Sequence, residues 1–165
     1  MIGTMAAWND VTTASPELAA LVRARIEATG LALLATLRHD GSPRISGIEP
    51  SFFGDHLWIG MMDGSRKGRD LQRDPRFALH NATVDKTVAE GDVKISGRAI
   101  EVLDDAEKAE FLRLFETANG YAPPPGPMQL FTADITEVVT VKPDGDHLDI
   151  DTWIEGRGTS HLERR

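Results

Sequence analysis

Residues 33–75 read LLATLRHDGSPRISGIEPSFFGDHLWIGMMDGSRKGRDLQRDP, and the punctuation of this stretch decides the fold. Leu31 to Leu37 is a short apolar run with the length of a buried strand. Asp40-Gly41 follows within four residues, and Asp-Gly between two strand-like runs is a strong hairpin signal. Pro43 to Pro50 supplies the returning strand, with Ser51 to Phe53 prolonging it. Gly54-Asp55 is a second turn, and Leu57 to Met62 a third strand. Strand, tight turn, strand, tight turn, strand predicts an antiparallel meander. Ser65 to Arg73 then reads as a short helix stopped by Asp74-Pro75.

Outward from this core the same signals recur. Ser15-Pro16-Glu17 is suited to open a helix, with Ser as cap, Pro at the first position and Glu at the positive dipole end. Leu18, Leu21, Val22 and Ile26 follow at helical spacing up to Gly30. Downstream, Arg76 to Thr83 and Asp92 to Leu103 return to strand character, with Gly97 marking a bend or close approach. Asp104-Asp105 caps the longest helix, which Asn119-Gly120 ends. Tyr121 to Pro127 is a proline-rich loop, Met128 to Val141 a long strand, and His147 to Ile154 a last strand beyond the Pro143–Asp146 turn.

Six or seven mostly antiparallel strands, one helix before them and two among them, predict a mainly β (α+β) domain: a closed or split β-barrel with peripheral helices. A sandwich is the architectural alternative. The 165 residues fit one such domain, with residues 1–14 as an N-terminal arm and 155–165 as a polar C-terminal tail.

Composition narrows the chemistry. With no cysteine, disulfides, thiolate nucleophiles and zinc-thiolate sites are excluded. A net charge of -8 argues against a general nucleic-acid binder, which depends on neutralising phosphates. No apolar run approaches the ~20 residues of a membrane span. Met1 to Asp10 lacks the basic and apolar regions of a signal peptide, so the expected location is cytoplasmic. The five histidines show no metal-ligand spacing along the chain, and no metal site is expected. No serine sits in a nucleophile elbow, which disfavours hydrolysis.

Against this acidic background, Ser65-Arg66-Lys67-Gly68-Arg69 places three cations and a hydroxyl at the start of a helix. Free amides and the positive dipole end of a helix add to an anion site there. A solvated basic helix face is the plainer alternative.

The stretch Leu33 to Pro75 resembles the N-terminal barrel segment of the pyridoxamine 5′-phosphate oxidase-like family. In that family a Ser-Arg-Lys tripeptide precedes a short helix ending in Asn-Pro or Asp-Pro; here these are Ser65-Arg66-Lys67 and Asp74-Pro75. The resemblance implies a split barrel and a homodimer with a flavin-type cofactor in a groove shared by the subunits, FMN or alternatively the deazaflavin F420. It assigns the cofactor phosphate to Ser65, Arg66 and Lys67. Arg44 would lie near the phosphate or ribityl chain, and Ile45, Ser46 and Gly47 would pass along the ring. Gly60 and Met61 would touch it from the third strand. Trp153 would match the family's C-terminal tryptophan, with Arg164 nearby as a further cofactor contact. For F420, Arg69, Arg73 or the tail arginines Arg157, Arg164 and Arg165 could supply an extra cationic path. The family's lysine for substrate phosphate is replaced by Glu49, and only Ser160-His161-Leu162 remains of its Arg-Leu-His signature. The expectation is therefore an oxidoreductase that moves hydride to or from a small organic substrate, other than the pyridoxamine phosphate reaction. A non-catalytic module that binds or stores a flavin or haem is the alternative.

Overall fold

The computed structural model describes residues 5–165. The Asp40-Gly41 hairpin forms as its sequence dictates, joining β1 (Ala32–Leu37) to β2 (Pro43–Ile48), with Gly41 at φ 81. Asp40 Oδ1 accepts from the Ser42 amide over 2.9 Å, a local clasp that shapes the loop.

The strand expected to continue to Phe53 does not. Pro50 has no amide to give to a ladder, and it forces Glu49 out of regular pairing. The chain breaks there and resumes as β3 (Ser51–Phe53), which pairs with β4 (His56–Met62). The seven-strand path runs β2-β1-β5-β6-β7-β4-β3, in which β5 is Arg76–Asn81, β6 Asp92–Glu101 and β7 Met128–Asp144. Strands β2 and β3 thus occupy opposite ends of the path although two residues join them. The expected meander is corrected accordingly. A sheet whose two ends are joined by Glu49-Pro50 has curled round on itself without closing its hydrogen bonding, which is a split barrel.

β7 carries the sheet on to β8 (His147–Ile154), and β8 to β9 (Gly158–Arg164), so the described residues hold nine strands, all pairing antiparallel. The reading of 155–165 as a polar tail is corrected. Its seven-residue strand has every residue exposed, and an exposed polar strand carries no hydrophobic signature. The N-terminal arm is corrected in the same way. Trp8–Ala14 forms α1, with Trp8 and Val11 buried, while the first four residues of the arm lie outside the described residues.

The helix at Pro16 is α2 (Pro16–Glu27); Ser15 precedes it but makes no side-chain cap, its amide instead closing α1 on Val11. Its face of Leu18, Val22 and Ile26 packs with Leu34, Leu79, Ile95 and Ile135 in the main core. Each such side chain removed from water contributes about 1.5–3 kcal/mol. α4 (Asp105–Asn119) is capped by Asp104, which accepts from the Glu107 amide, and is ended by Gly120 at φ 75. It seats Phe111 on Trp58, Val102 and Leu130 in a second cluster. Trp58 is core there, as its place in an apolar strand implies, and its Nε1 donates to the Phe53 carbonyl over 2.9 Å. At Gly97 the ladder skips Thr136, and a Cβ would stand 2.2 Å from the Asp134 carbonyl oxygen. Only glycine fits that bulge.

Candidate functional site

α3 (Arg66–Arg73) starts directly after the β4 turn, capped by Ser65, whose Oγ accepts from the Gly68 amide over 3.1 Å. Arg66, Arg69, Asp70 and Arg73 stand at i, i+3, i+4 and i+7, one face of the helix. That face meets the tip of the β1–β2 hairpin. Between them lies an open cavity of about 410 Å³ lined by Arg38, His39, Asp40, Arg44, Arg66, Arg69, Asp70 and Arg73.

Asp70 organises this cavity. Its side chain is 5% exposed and takes three donors. Arg44 Nε donates over 2.6 Å, Thr36 Oγ1 over 2.9 Å and Arg73 Nη2 over 3.2 Å. Arg73 also donates to the Leu37 carbonyl. Burial alone would raise the Asp70 carboxyl, but the hydrogen bonds from Arg44, Thr36 and Arg73 outweigh it and hold the group below the usual carboxylate range. Of the five arginines, only Arg44 and Arg73 are ion-paired among the described residues, both to Asp70. Arg38, Arg66 and Arg69 keep their charges for the cavity, which is strongly cationic in a chain of net charge -8.

Lys67 turns the other way and donates from Nζ to the Gly47 carbonyl over 2.7 Å, tying α3 to β2. Burial pushes its ammonium down, and the neighbouring Glu49 carboxylate partly opposes that shift. Gly68 packs so closely on Gln129 of β7 that a Cβ would stand 2.1 Å from Oε1. Gln129 is 7% exposed, and its Oε1 is buried without a hydrogen-bond partner beside the start of α3.

The structure therefore gathers Arg44, Gly47, Ser65, Arg66 and Lys67 around one helix start. Ile45 and Ser46 continue along β2, with Ile45 71% exposed on the outer surface. Gly60 is half-buried on β4, while the Met61 side chain points into the main core. Trp153 is also a core residue, on β8, and Arg164 is exposed near the end of β9; neither lines the cavity. Sequence reasoning missed Thr36, Arg38, His39, Asp70 and Gln129. The helical spacing of Arg66, Arg69, Asp70 and Arg73 was a usable signal for Asp70. The hairpin residues carried none, because only tertiary packing brings them to α3.

The family model described as pyridoxamine 5'-phosphate oxidase matches residues 18–142. No curated protein matches the chain. Among solved structures, a pyridoxamine 5'-phosphate oxidase-related, FMN binding protein from Nostoc punctiforme is 14% identical with a TM-score of 0.63, covering 92% of this chain and 96% of that one. PhzG from Burkholderia lata 383, in complex with tetrahydrophenazine-1-carboxylic acid, is 18% identical with a TM-score of 0.62, covering 94% and 91%. An F420 reductase is 20% identical with a TM-score of 0.51, covering 66% and 87%. At these identities the likeness is one of fold.

Proposed function

We propose that this chain, which belongs to the pyridoxamine 5′-phosphate oxidase family, is an oxidoreductase domain that binds FMN by its phosphate at the start of α3. The observation that carries this reading is the cationic cavity where Arg44 and Arg66 meet the helix N-terminus. The fit of an anion-bearing cofactor is supported by the cavity arginines Arg38, Arg66 and Arg69, which make no ion pair among the described residues. When bound, FMN supplies the hydride chemistry. The protein's part is to anchor the phosphate through Arg44, Ser65 and Arg66 and to hold β2 alongside the ring. Lys67, pinned to the Gly47 carbonyl, sets the distance between helix and strand.

Glu49 supports a substrate other than pyridoxamine phosphate, because its carboxylate beside Lys67 repels a second phosphate at that place. A homodimer sharing the cofactor is part of the proposal, supported by the exposed apolar face of Leu33 and Ile45 on β1 and β2. F420 is the second reading for the cofactor, and the arginine-rich lining favours it, since a cofactor with a longer anionic tail would use Arg38 and Arg69 as well.

Ring fluorescence of FMN and of F420, followed during titration of the ligand-free protein, tests the assignment. Saturation by FMN supports it, and saturation by F420 alone supports the second reading. Binding of neither overturns both, and uptake of haem alone would put the chain with the non-catalytic binders.

A further inference from the structure

The last two strands assemble a second group of chemistry-bearing side chains, away from the cationic cavity. Register places them on one face. Asp144 of β7 is opposite His147 of β8, Asp149 is opposite Glu163 of β9, and Asp151 is opposite His161. His147, Asp149 and Asp151 alternate along β8 and therefore point the same way.

The two imidazoles are oriented alike. His147 Nδ1 lies 3.3 Å from Asp146 Oδ1, and its Nε2 lies 3.2 Å from Asp149 Oδ1. His161 Nδ1 lies 2.8 Å from Asp151 Oδ1, and its Nε2 lies 3.7 Å from the same Asp149 oxygen. A neutral imidazole that donates Nδ1–H to a carboxylate presents a lone pair at Nε2, the arrangement that holds metal-ligating histidines. Two such lone pairs directed at one carboxylate oxygen repel it unless a cation lies between them.

A proton on each ring would satisfy both pairs, and the neighbouring carboxylates favour it, chiefly Asp146 for His147 and Asp151 for His161. Protonation would leave unused the two further carboxylates, Asp144 and Glu163, that complete the surroundings. The ligand atoms of Asp144, His147 and Asp149 lie within 4.8 Å of one another, and so do those of Asp149, His161 and Glu163. The nitrogen-to-oxygen edge of a tetrahedral zinc centre, with bonds of about 2.0–2.2 Å, is about 3.3 Å. The His147–Asp149 separation already matches it. Competing cations are few: Lys142 stands opposite Asp149 on β7 and makes no ion pair among the described residues, and Arg165 reaches Asp146 at 3.8 Å.

We propose that this face of β7, β8 and β9 is a divalent transition-metal site with Asp149 as the shared ligand, His147 and Asp144 completing it on one side and His161 and Glu163 on the other. The mixed nitrogen and oxygen donors favour Zn²⁺ or Mn²⁺ over Ca²⁺, which takes oxygen alone. The inference is independent of the cofactor reading above.

Calorimetric titration of the full chain, freed of metal with a chelator, tests it with Zn²⁺, Mn²⁺ and Ca²⁺ in turn. The imidazole proton signals of all five histidines are followed in parallel by NMR. The expected result is micromolar or tighter Zn²⁺ binding that shifts His147 and His161 selectively. D149N, which keeps the shape but removes the charge, weakens it at least tenfold, with circular dichroism confirming an intact fold. Zn²⁺ binding no tighter than Ca²⁺, binding unchanged in D149N, shifts confined to other histidines, or no binding up to millimolar metal would each overturn the proposal.

Discussion

Arg44 and Asp70 are 26 residues apart in sequence, yet Arg44 Nε donates to Asp70 Oδ2 over 2.6 Å, so one ion pair ties β2 to α3 across the mouth of the cationic cavity. Arg44 is 18% exposed and Asp70 5%. In so little water a lone charge is costly, and breaking the pair leaves one behind. Asp70→Asn should lower stability by about 2 kcal/mol, since one hydrogen bond to a charged group weakens and the Arg44 charge loses its partner. Urea denaturation measures the loss.

Acid should act through the same pair. The folded state holds the Asp70 carboxyl below its usual range, so the unfolded chain takes up the proton first. The stabilisation is fully present above the unfolded value, near pH ~4, and is lost as pH falls through the lower, folded value. Denaturation midpoints recorded downward from pH 7 should fall most steeply below about pH 4. Asp70→Asn should flatten part of that descent; an unchanged slope would mean that the pair contributes nothing to acid sensitivity.

Replacing both Arg66 and Lys67 by alanine removes the charge-assisted phosphate contact of Arg66 and the Lys67 tie to the Gly47 carbonyl that spaces α3 from β2, while leaving the Ser65 cap in place. Affinity for FMN, or for F420 if that is the ligand, should fall about a hundredfold or more. Fluorescence titration reads the loss directly, and parental affinity in the double variant would displace the phosphate site from α3.

Two buried glycines should respond differently to alanine. At Gly68 the new methyl meets the end of the Gln129 side chain, which can move, so the cost is about 1–2 kcal/mol and should largely disappear in a Gln129→Ala background. At Gly97 it meets the Asp134 backbone carbonyl, which cannot, so the cost should reach about 3 kcal/mol in any background. Thermal unfolding of the set of variants separates the two cases.

Ile45 is 71% exposed on β2, on the outer face that the proposed dimer would cover. Ile45→Glu should shift sedimentation towards the monomer with little change in monomer fold. A monomeric parent chain would remove the shared-groove part of the proposal.

The elements that were legible in the sequence are those whose cause is local. Asp40-Gly41 forces a hairpin because glycine supplies the positive φ its loop needs, and Ser65 with Asp74-Pro75 brackets α3 because a cap and a breaker act within a few residues. Asp104 and Gly120 do the same for α4. Of the candidate site, Ser65, Arg66 and Lys67 were visible as a charge cluster in an acidic chain. Asp70, which neutralises two of the arginines, shares their helical spacing, but nothing local marks its carboxylate as buried. Strand β9 escaped notice because all its residues face water.

By itself, then, the sequence determined the segments, their turns and caps, and the cationic start of α3, since backbone dihedrals and end-capping bonds depend on neighbours along the chain. Tertiary structure decided the rest. It split the expected second strand at Glu49-Pro50 and sent its halves to opposite ends of the sheet. It brought Arg38 of the hairpin to Arg69 of the helix, and through ladder register it set His147, Asp149, His161 and Glu163 on one face. The reason is that strand pairing and burial join residues far apart in the chain, where only the packed core chooses the partners.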